Sequence, residues 1–440
     1  MIFSIIGALI CLFGLINYKK GFFVFLLFKT ILVPNINIIS LPSLPMVTLE
    51  LFLSIYFFVL YCIHGKKYSS AKISFPYSVP AVFLMMSWFM SSIFSVAGFK
   101  AEITRVISMS LSEILIILII WQLVETDSDF FWIIKWLTFI IIITCIYGIF
   151  EYITKQNPVL NYEISLVSDV SKITNWNMYG ETIRGYRVQS FFDHAIGAGL
   201  NWSLYIIWIY TASVKFSCKI PNVPVAFFAS VLCLPCIILS NSRAPIVFLF
   251  INFICLFNPK NKKMMFFIIL SAFVLVIVSP LLFKYQYNFA SIFNQKIQRA
   301  VGGSTIAMRF EQLDACIEIW KRSPIFGMGA KFIDYMELKW VLVLRGMESI
   351  WFVALVEYGL FGVLAYLIRA LFEIVLIPKY FKSREAFVLA ISYWITYTLT
   401  SLPGFLTYLY YIIMFFYIKK SIVYVRIKKY KSFFPVKIMF

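Results

Sequence analysis

The stretch Ile306-Ala-Met-Arg309-Phe310-Glu311-Gln-Leu313-Asp314-Ala-Cys-Ile317-Glu318-Ile-Trp320-Lys321-Arg322-Ser323-Pro324-Ile-Phe-Gly-Met-Gly329 lies between long apolar runs, in a segment that stays out of hydrocarbon. The surrounding residues 284–349 hold nine Lys/Arg and six Asp/Glu, too many charges to cross a bilayer. Ile306, Phe310, Leu313, Ile317 and Trp320 recur at steps of four and three. That spacing predicts a helix with one apolar stripe, leaving Arg309, Glu311, Asp314, Glu318 and Lys321 on its other faces. Lys321-Arg322 are expected in its last turn, with Ser323-Pro324 stopping it. A tight loop, Pro324-Ile-Phe-Gly-Met-Gly329, comes next. Then Glu348-Ser-Ile-Trp-Phe-Val-Ala-Leu-Val-Glu-Tyr-Gly-Leu-Phe-Gly362 re-enters the membrane. The pattern is that of a lid: an amphipathic helix over a membrane bundle, a glycine-shaped loop, and a carboxylate at the rim.

Working outward, the composition fixes the class. The 440 residues are 62% hydrophobic and 13% charged, with mean hydropathy +0.88. Soluble domains are nearer half apolar and a quarter charged, so the fold class is all-α, a polytopic integral membrane helical bundle. Abundant Tyr and Phe suit interfacial belts. Lys and Arg outnumber Asp and Glu by 39 to 20. In a soluble protein that excess would suggest nucleic acid; here cytoplasmic loops collect Lys/Arg, so no nucleic-acid partner is expected.

Apolar runs at about 2–17, 46–63, 78–97, 105–124, 132–152, 191–213, 222–240, 243–257, 264–283, 350–376, 386–401 and 404–418 are long enough to cross, or nearly so. A shorter run at 21–33 makes the expected count twelve or thirteen. The chain is expected to form one polytopic domain over 1–440, with two long outer loops at 153–190 and 284–349 and a basic tail at 419–440. Lys66, Lys67 and Lys72; Lys215 and Lys219; Lys260, Lys262 and Lys263; Lys379, Lys382 and Arg384; and the tail all fall on one side if the spans alternate. That side is expected to be cytoplasmic. Charge leaves the N-terminus open, because Lys19-Lys20 favour the inside whereas an even span count puts the N-terminus there. The first apolar run has neither a charged n-region nor a small-residue cleavage site, so it is expected to be retained.

Ionisable groups at the mouths of spans are expensive to place there, which makes them functional candidates. The first group is Arg184-Gly-Tyr-Arg187-Val-Gln-Ser-Phe-Phe-Asp193-His194. Arginine suits phosphate because its planar fork donates two parallel hydrogen bonds and keeps its charge. A snorkelling arginine and a self-satisfied Asp-His pair are the plainer alternatives, and a structural role is the commoner one for His194. The second group is Leu239-Ser-Asn-Ser-Arg243-Ala-Pro, a turn with almost no loop, where the serines and asparagine fit a hairpin but the arginine is harder to explain. The third is Arg309 on the lid with Glu348 at the next span's entrance. Arg309 can instead pair with Asp314, and Glu348 can instead cap the helix that follows.

Eight cysteines are scattered, mostly within spans, and the only histidines are His64 and His194, so no metal framework is expected. Cys233-Leu-Pro-Cys236 has redox spacing but sits mid-span, where small buried hydrophobes are the expected role.

The order of these patterns carries a resemblance. Arg-x-x-Ser-Phe-Phe-x-x-Ala enters a span, and Ser-x-Ser-Arg makes a tight outer turn. A long loop follows with Ser-x-x-x-x-Arg and Trp-x-x-x-Pro-x-x-Gly-x-Gly, and a polar residue precedes Val-Glu-Tyr-Gly-Leu-Phe-Gly. Over about residues 180–375 the chain resembles the bacterial O-antigen ligase/polymerase superfamily (WaaL and Wzy types). The resemblance implies an inner-membrane enzyme acting on undecaprenyl-pyrophosphate-linked glycans at the periplasmic face, without cofactor or metal. It also implies pyrophosphate binding by Arg187 and Arg243; Arg309 and Arg184 are further candidates from their placement at span mouths. Many members, ligases especially, carry His-Asn where this chain has Glu348-Ser349, which leaves Glu348 as the candidate base and His194 as the next.

The residues fit that chemistry independently. A sugar pyrophosphate is an activated donor, so a site needs cationic stabilisation of the leaving pyrophosphate and a base for the acceptor hydroxyl. The leading expectation is a polymerase for O-antigen or capsular repeat units, with a donor and an acceptor that are both lipid-linked and possible help from a chain-length regulator. The alternative is a ligase that moves finished glycan to lipid A–core. A flippase is disfavoured because no duplicated halves are seen. A metal-dependent transferase would need acidic motifs outside, whereas Asp127-Ser-Asp129 is expected inside.

Overall fold

The computed structural model describes residues 2–31, 37–39, 47–68, 75–166, 186–192, 194–216, 218, 220, 222–256, 290, 294, 296–297, 305–344, 346–400 and 407–433. They form a helical bundle with one antiparallel ribbon, in which Asn37–Ile39 pairs with Val47–Thr48. The ribbon was not foreseen in the uncharged segment 34–45. The helices are α1 (Ile2–Ile16), α2 (Tyr18–Ile31), α3 (Leu49–Tyr68), α4 (Ser78–Ile93), α5 (Phe99–Leu123), α6 (Asp127–Thr154) and α7 (Pro158–Leu166). After them come α8 (Ala195–Tyr210), α9 (Val223–Leu239), α10 (Arg243–Leu256), α11 (Ile306–Trp320), α12 (Leu338–Leu344), α13 (Ile350–Phe381), α14 (Arg384–Leu399) and α15 (Thr407–Phe433). Three of them, α5, α6 and α13, are long and apolar enough to cross a membrane, with shorter apolar helices alongside. The expected span 264–283 lies outside the described residues.

The short run at 21–33 proves to be a core helix. Phe22, Phe23, Phe25, Leu26 and Leu27 of α2 are buried against α1, α3, α6 and α15. Its entry also settles the geometry of α1. Lys19 Nζ pairs with Asp129 at 2.8 Å and Lys420 Nζ with Asp127 at 2.6 Å. The α1–α2 hairpin, the start of α6 and the Lys420 region of α15 therefore share one end of the bundle, and α1 begins at the other. Asp129 also closes a capping box with Thr126, satisfying amides that the first helical turn leaves open. The Asp-x-Asp pair thus has a structural account.

Two further bonds define the lysine-rich end. Tyr210 donates to the Leu256 carbonyl at 3.4 Å, and Arg384 to the Cys255 carbonyl at 2.7 Å. Since Asn252 also donates to Ser392 at 2.7 Å, α10 and α14 run antiparallel. The Arg243 end of α10 therefore lies at the same end of the bundle as Leu399.

The helix expected from the Ile306–Trp320 spacing is present as α11, but it is rotated from expectation. Its buried face is Gln312, Ala315, Cys316 and Ile319, which packs with Met328, Phe332, Leu344, Met347 and Val356 in a cluster of its own. Ile306 and Phe310 of the expected stripe are 44% and 61% exposed. Small Ala and Cys side chains let α11 approach α13 closely, while the bulky residues stay at the edge. The helix ends at Trp320, so Lys321 is its C-cap rather than part of its last turn.

Candidate active site

The segment carrying Arg187 is irregular, yet it is tied down on every side. Glu151, fully buried near the end of α6, accepts from the backbone amides of Ser190 at 2.6 Å and Gln189 at 3.3 Å, and from the Tyr186 hydroxyl at 3.2 Å. The Ser190 hydroxyl donates to the Thr144 carbonyl at 2.8 Å, and the Asn157 amide donates to the Ser190 carbonyl at 2.8 Å. Irregular backbone that is buried needs such partners, because apolar surroundings offer none. The amide of Val188 reaches the Leu239 carbonyl at 3.0 Å, joining the segment to the tight turn after α9.

In that turn Asn241 takes a left-handed conformation at φ 52°, which asparagine tolerates. The nearly buried Arg187 donates from Nη2 to the Ser242 hydroxyl at 2.9 Å. Arg243, half-buried, starts α10 immediately afterwards. Two sequence-distant arginines are thereby brought to one turn. Gly199 makes room for it, since a Cβ there would lie 2.6 Å from Pro245 Cγ and 2.9 Å from Ser240 Oγ. His194 is the N-cap of α8, its Nδ1 accepting from the Ile196 amide at 3.0 Å. That is the structural role expected of it, and any proton transfer by His194 must run through Nε2. Arg184 and Asp193 lie outside the described residues.

Arg309 and Glu348 also meet, with Nη2 to Oε2 at 2.9 Å. Arg309 therefore pairs with Glu348 and not with Asp314. The same guanidinium donates to the Leu399 carbonyl at 3.0 Å. Ser349, rather than Glu348, caps α13 by accepting from the Trp351 amide, which leaves the Glu348 carboxylate for the lid. Through the antiparallel α10–α14 pair, the Arg309–Glu348 bridge lies at the same end of the bundle as Arg187 and Arg243.

The loop Pro324–Gly329 does more than connect. At Gly359, with φ 65° and ψ −161°, α13 breaks. The carbonyls of Val356 and Glu357, released from helical bonding, accept from the Met328 and Gly329 amides at 2.9 and 3.0 Å. Beyond the break, the amides of Leu360 and Phe361 donate to the Pro324 and Ile325 carbonyls at 2.9 and 3.0 Å. The expected span 350–376 is thus two helical pieces spliced by the lid loop. A Cβ on Gly327 would sit 2.4 Å from the Glu357 backbone. The loop also docks on the α4–α5 corner, where the Val96 amide donates to the Met328 carbonyl at 3.1 Å and the Lys331 backbone amide to the Glu102 carboxylate at 2.8 Å. Arg105 stands 3.9 Å from the buried Glu357 carboxylate.

Glu151, Glu357 and Arg105 were missed as candidates. Each is an ionisable residue in or beside an apolar span, and that position was the available signal. Among the described residues no group of three or more potential metal ligands occurs. Cys145 and Cys233 pack at 3.8 Å as free thiols in the core, with Cys236 beside them, so C-x-x-C serves packing. Burial pushes the Cys316 thiol up to about 12, which disfavours a thiolate nucleophile under the lid.

No curated protein matches the chain. Residues 228–367 match the family model described as O-antigen ligase (Wzy_C). This segment contains the Arg243 turn, the lid, Glu348 and the spliced break of α13. That stretch, about a third of the chain, is similar to the O-antigen ligase family.

Proposed function

We propose that this protein is a polysaccharide polymerase of the plasma (inner) membrane, with its site facing the periplasm. It joins undecaprenyl-pyrophosphate-linked repeat units into O-antigen or capsular glycan. The observation that carries this reading is the meeting of Arg187 with the Ser242-Arg243 turn, at the same end of the bundle as the Arg309–Glu348 bridge. The acceptor sugar hydroxyl attacks the anomeric carbon of the donor. The bond from that carbon to the pyrophosphate oxygen breaks, and the carrier pyrophosphate leaves. Arg187 and Arg243 stabilise the charge that develops on it, in a water-poor mouth where preorganised cations act most strongly. Glu348 takes the acceptor proton, and Arg309 holds that carboxylate in position. No step calls on a cofactor or a metal.

The test is a gel of surface glycan from cells lacking the gene and from complemented cells. Collapse of the ladder to core plus a single repeat supports the polymerase. The match to a family described as O-antigen ligase favours a second reading, a ligase that moves finished glycan onto lipid A–core. In that case polymer accumulates on the carrier and never reaches core. An unchanged ladder would remove both for this glycan.

A further inference from the structure

At the lysine-rich end, opposite the candidate active site, two outward apolar faces converge on a basic groove. On α13, Leu360, Leu364, Leu367, Leu371 and Val375 are 51%, 48%, 49%, 50% and 43% exposed. Steps of four, three, four and four make them one continuous stripe. On α14, Phe387, Ile395 and Leu399 form the corresponding stripe, at 41%, 38% and 37% exposure. Where the stripes end, a groove of about 340 Å³ is lined by Val375, Pro378, Lys379, Lys382, Arg384 and Phe387, among others.

The groove's polarity is one-sided. None of its lining residues is acidic. The acids nearest in sequence, Glu373 and Glu385, are buried, and Glu373 is bonded to Arg369 at 3.0 Å. Lys379 and Lys382 are exposed, while Arg384 is anchored at the wall by its bond to the Cys255 carbonyl at 2.7 Å. The groove also adjoins the start of α14, whose 16 residues add the positive end of a helix dipole.

We propose that this groove binds the phosphate of an anionic phospholipid, whose acyl chains lie along the α13 and α14 stripes. Two exposed apolar faces in a membrane protein are covered by lipid chains, which places a headgroup where those faces end. Three cations without a lining anion attract a phosphodiester that carries net negative charge. They repel the ammonium of a zwitterionic headgroup. Basic recesses between helices on the cytoplasmic side are suited to such lipids. The site is separate from the arginines proposed for the lipid-pyrophosphate, which lie at the other end of the bundle, and it stands whether or not the polymerase reading holds.

The test uses the full chain purified in neutral detergent. Native mass spectrometry titrates phosphatidylglycerol, with phosphatidylcholine as reference and inorganic phosphate as competitor. The double variant Lys379→Gln/Lys382→Asn keeps a residue tolerant of the left-handed backbone at 382, where φ is 53°. It should weaken phosphatidylglycerol binding roughly twenty-five-fold, taking each lysine at about fivefold. Phosphatidylcholine binding and thermal unfolding without lipid should stay as in wild type. Lys321→Gln, on the lid, should leave phosphatidylglycerol affinity unchanged. Should the double variant fail to fold, Lys379→Gln alone should still cost about fivefold. Equal affinity of wild type for the two lipids, undiminished binding by a folded variant, or full displacement by millimolar phosphate would each overturn the proposal.

Discussion

Arg187 and Ser242 are 55 residues apart in sequence and bonded at 2.9 Å. That bond fixes the guanidinium against the turn from which Arg243 starts its helix. If both arginines serve the departing pyrophosphate, Arg187→Ala and Arg243→Ala should each cut glycan transfer by about 10²–10³-fold. Expression and membrane insertion should persist. Ser242→Ala, which loosens Arg187 without removing its charge, should cost far less. Full activity in a well-expressed Arg243→Ala variant would sink the assignment.

The Arg309–Glu348 bridge is roughly 30% exposed on both sides, so its contribution to stability should stay below about 1 kcal/mol. A large activity loss in Glu348→Gln therefore reports on chemistry. The swap Arg309→Glu/Glu348→Arg separates two roles. If the pair only fastens the lid, the swap should restore transfer; if Glu348 is the base, activity should remain lost. Ladder intensity per unit of protein decides.

Gly359 holds a backbone conformation that side chains rarely adopt, and a Cβ there would lie 2.5 Å from the Ile325 carbonyl oxygen. Gly359→Ala should destabilise the protein by about 3 kcal/mol or more and release the lid loop to protease. An unchanged melting temperature in detergent would refute the splice.

Glu151 collects three donors around Arg187. Glu151→Ala leaves buried amides without an acceptor, at about 1–3 kcal/mol each, and should lose activity together with stability. Glu151→Gln keeps one acceptor oxygen and should retain part of both. If the alanine variant transfers glycan normally, the segment is not held as described.

Asp129, in the first turn of α6, closes the capping box with Thr126 and pairs with Lys19. Asp129→Ala should cost about 1–2 kcal/mol of stability, and once corrected for folded protein it should transfer glycan normally. Chelator treatment should also leave transfer unchanged. Loss of activity in both would return a metal-dependent mechanism to consideration.

The sequence alone determined that this is a helical membrane protein, and it located the three described helices that are long and apolar enough to cross a bilayer, α5, α6 and α13. Each apolar run must satisfy its own backbone once it is in lipid, so a helix is the local answer whatever its neighbours do. It also marked Arg187, Arg243, Arg309 and Glu348, because charge beside hydrocarbon is costly enough to stand out in composition. Only the tertiary structure decided which charges meet. Glu348 turned from a possible cap into the partner of Arg309 because Ser349 took the capping position. The buried face of the lid helix depended on which side chains could approach α13 closely, and Ala315 and Cys316 are smaller than the stripe beside them. The break in α13 was hidden as well. A glycine within an apolar run looks like an ordinary span residue until another segment, here Pro324–Gly329, supplies the hydrogen bonds that the helix gives up.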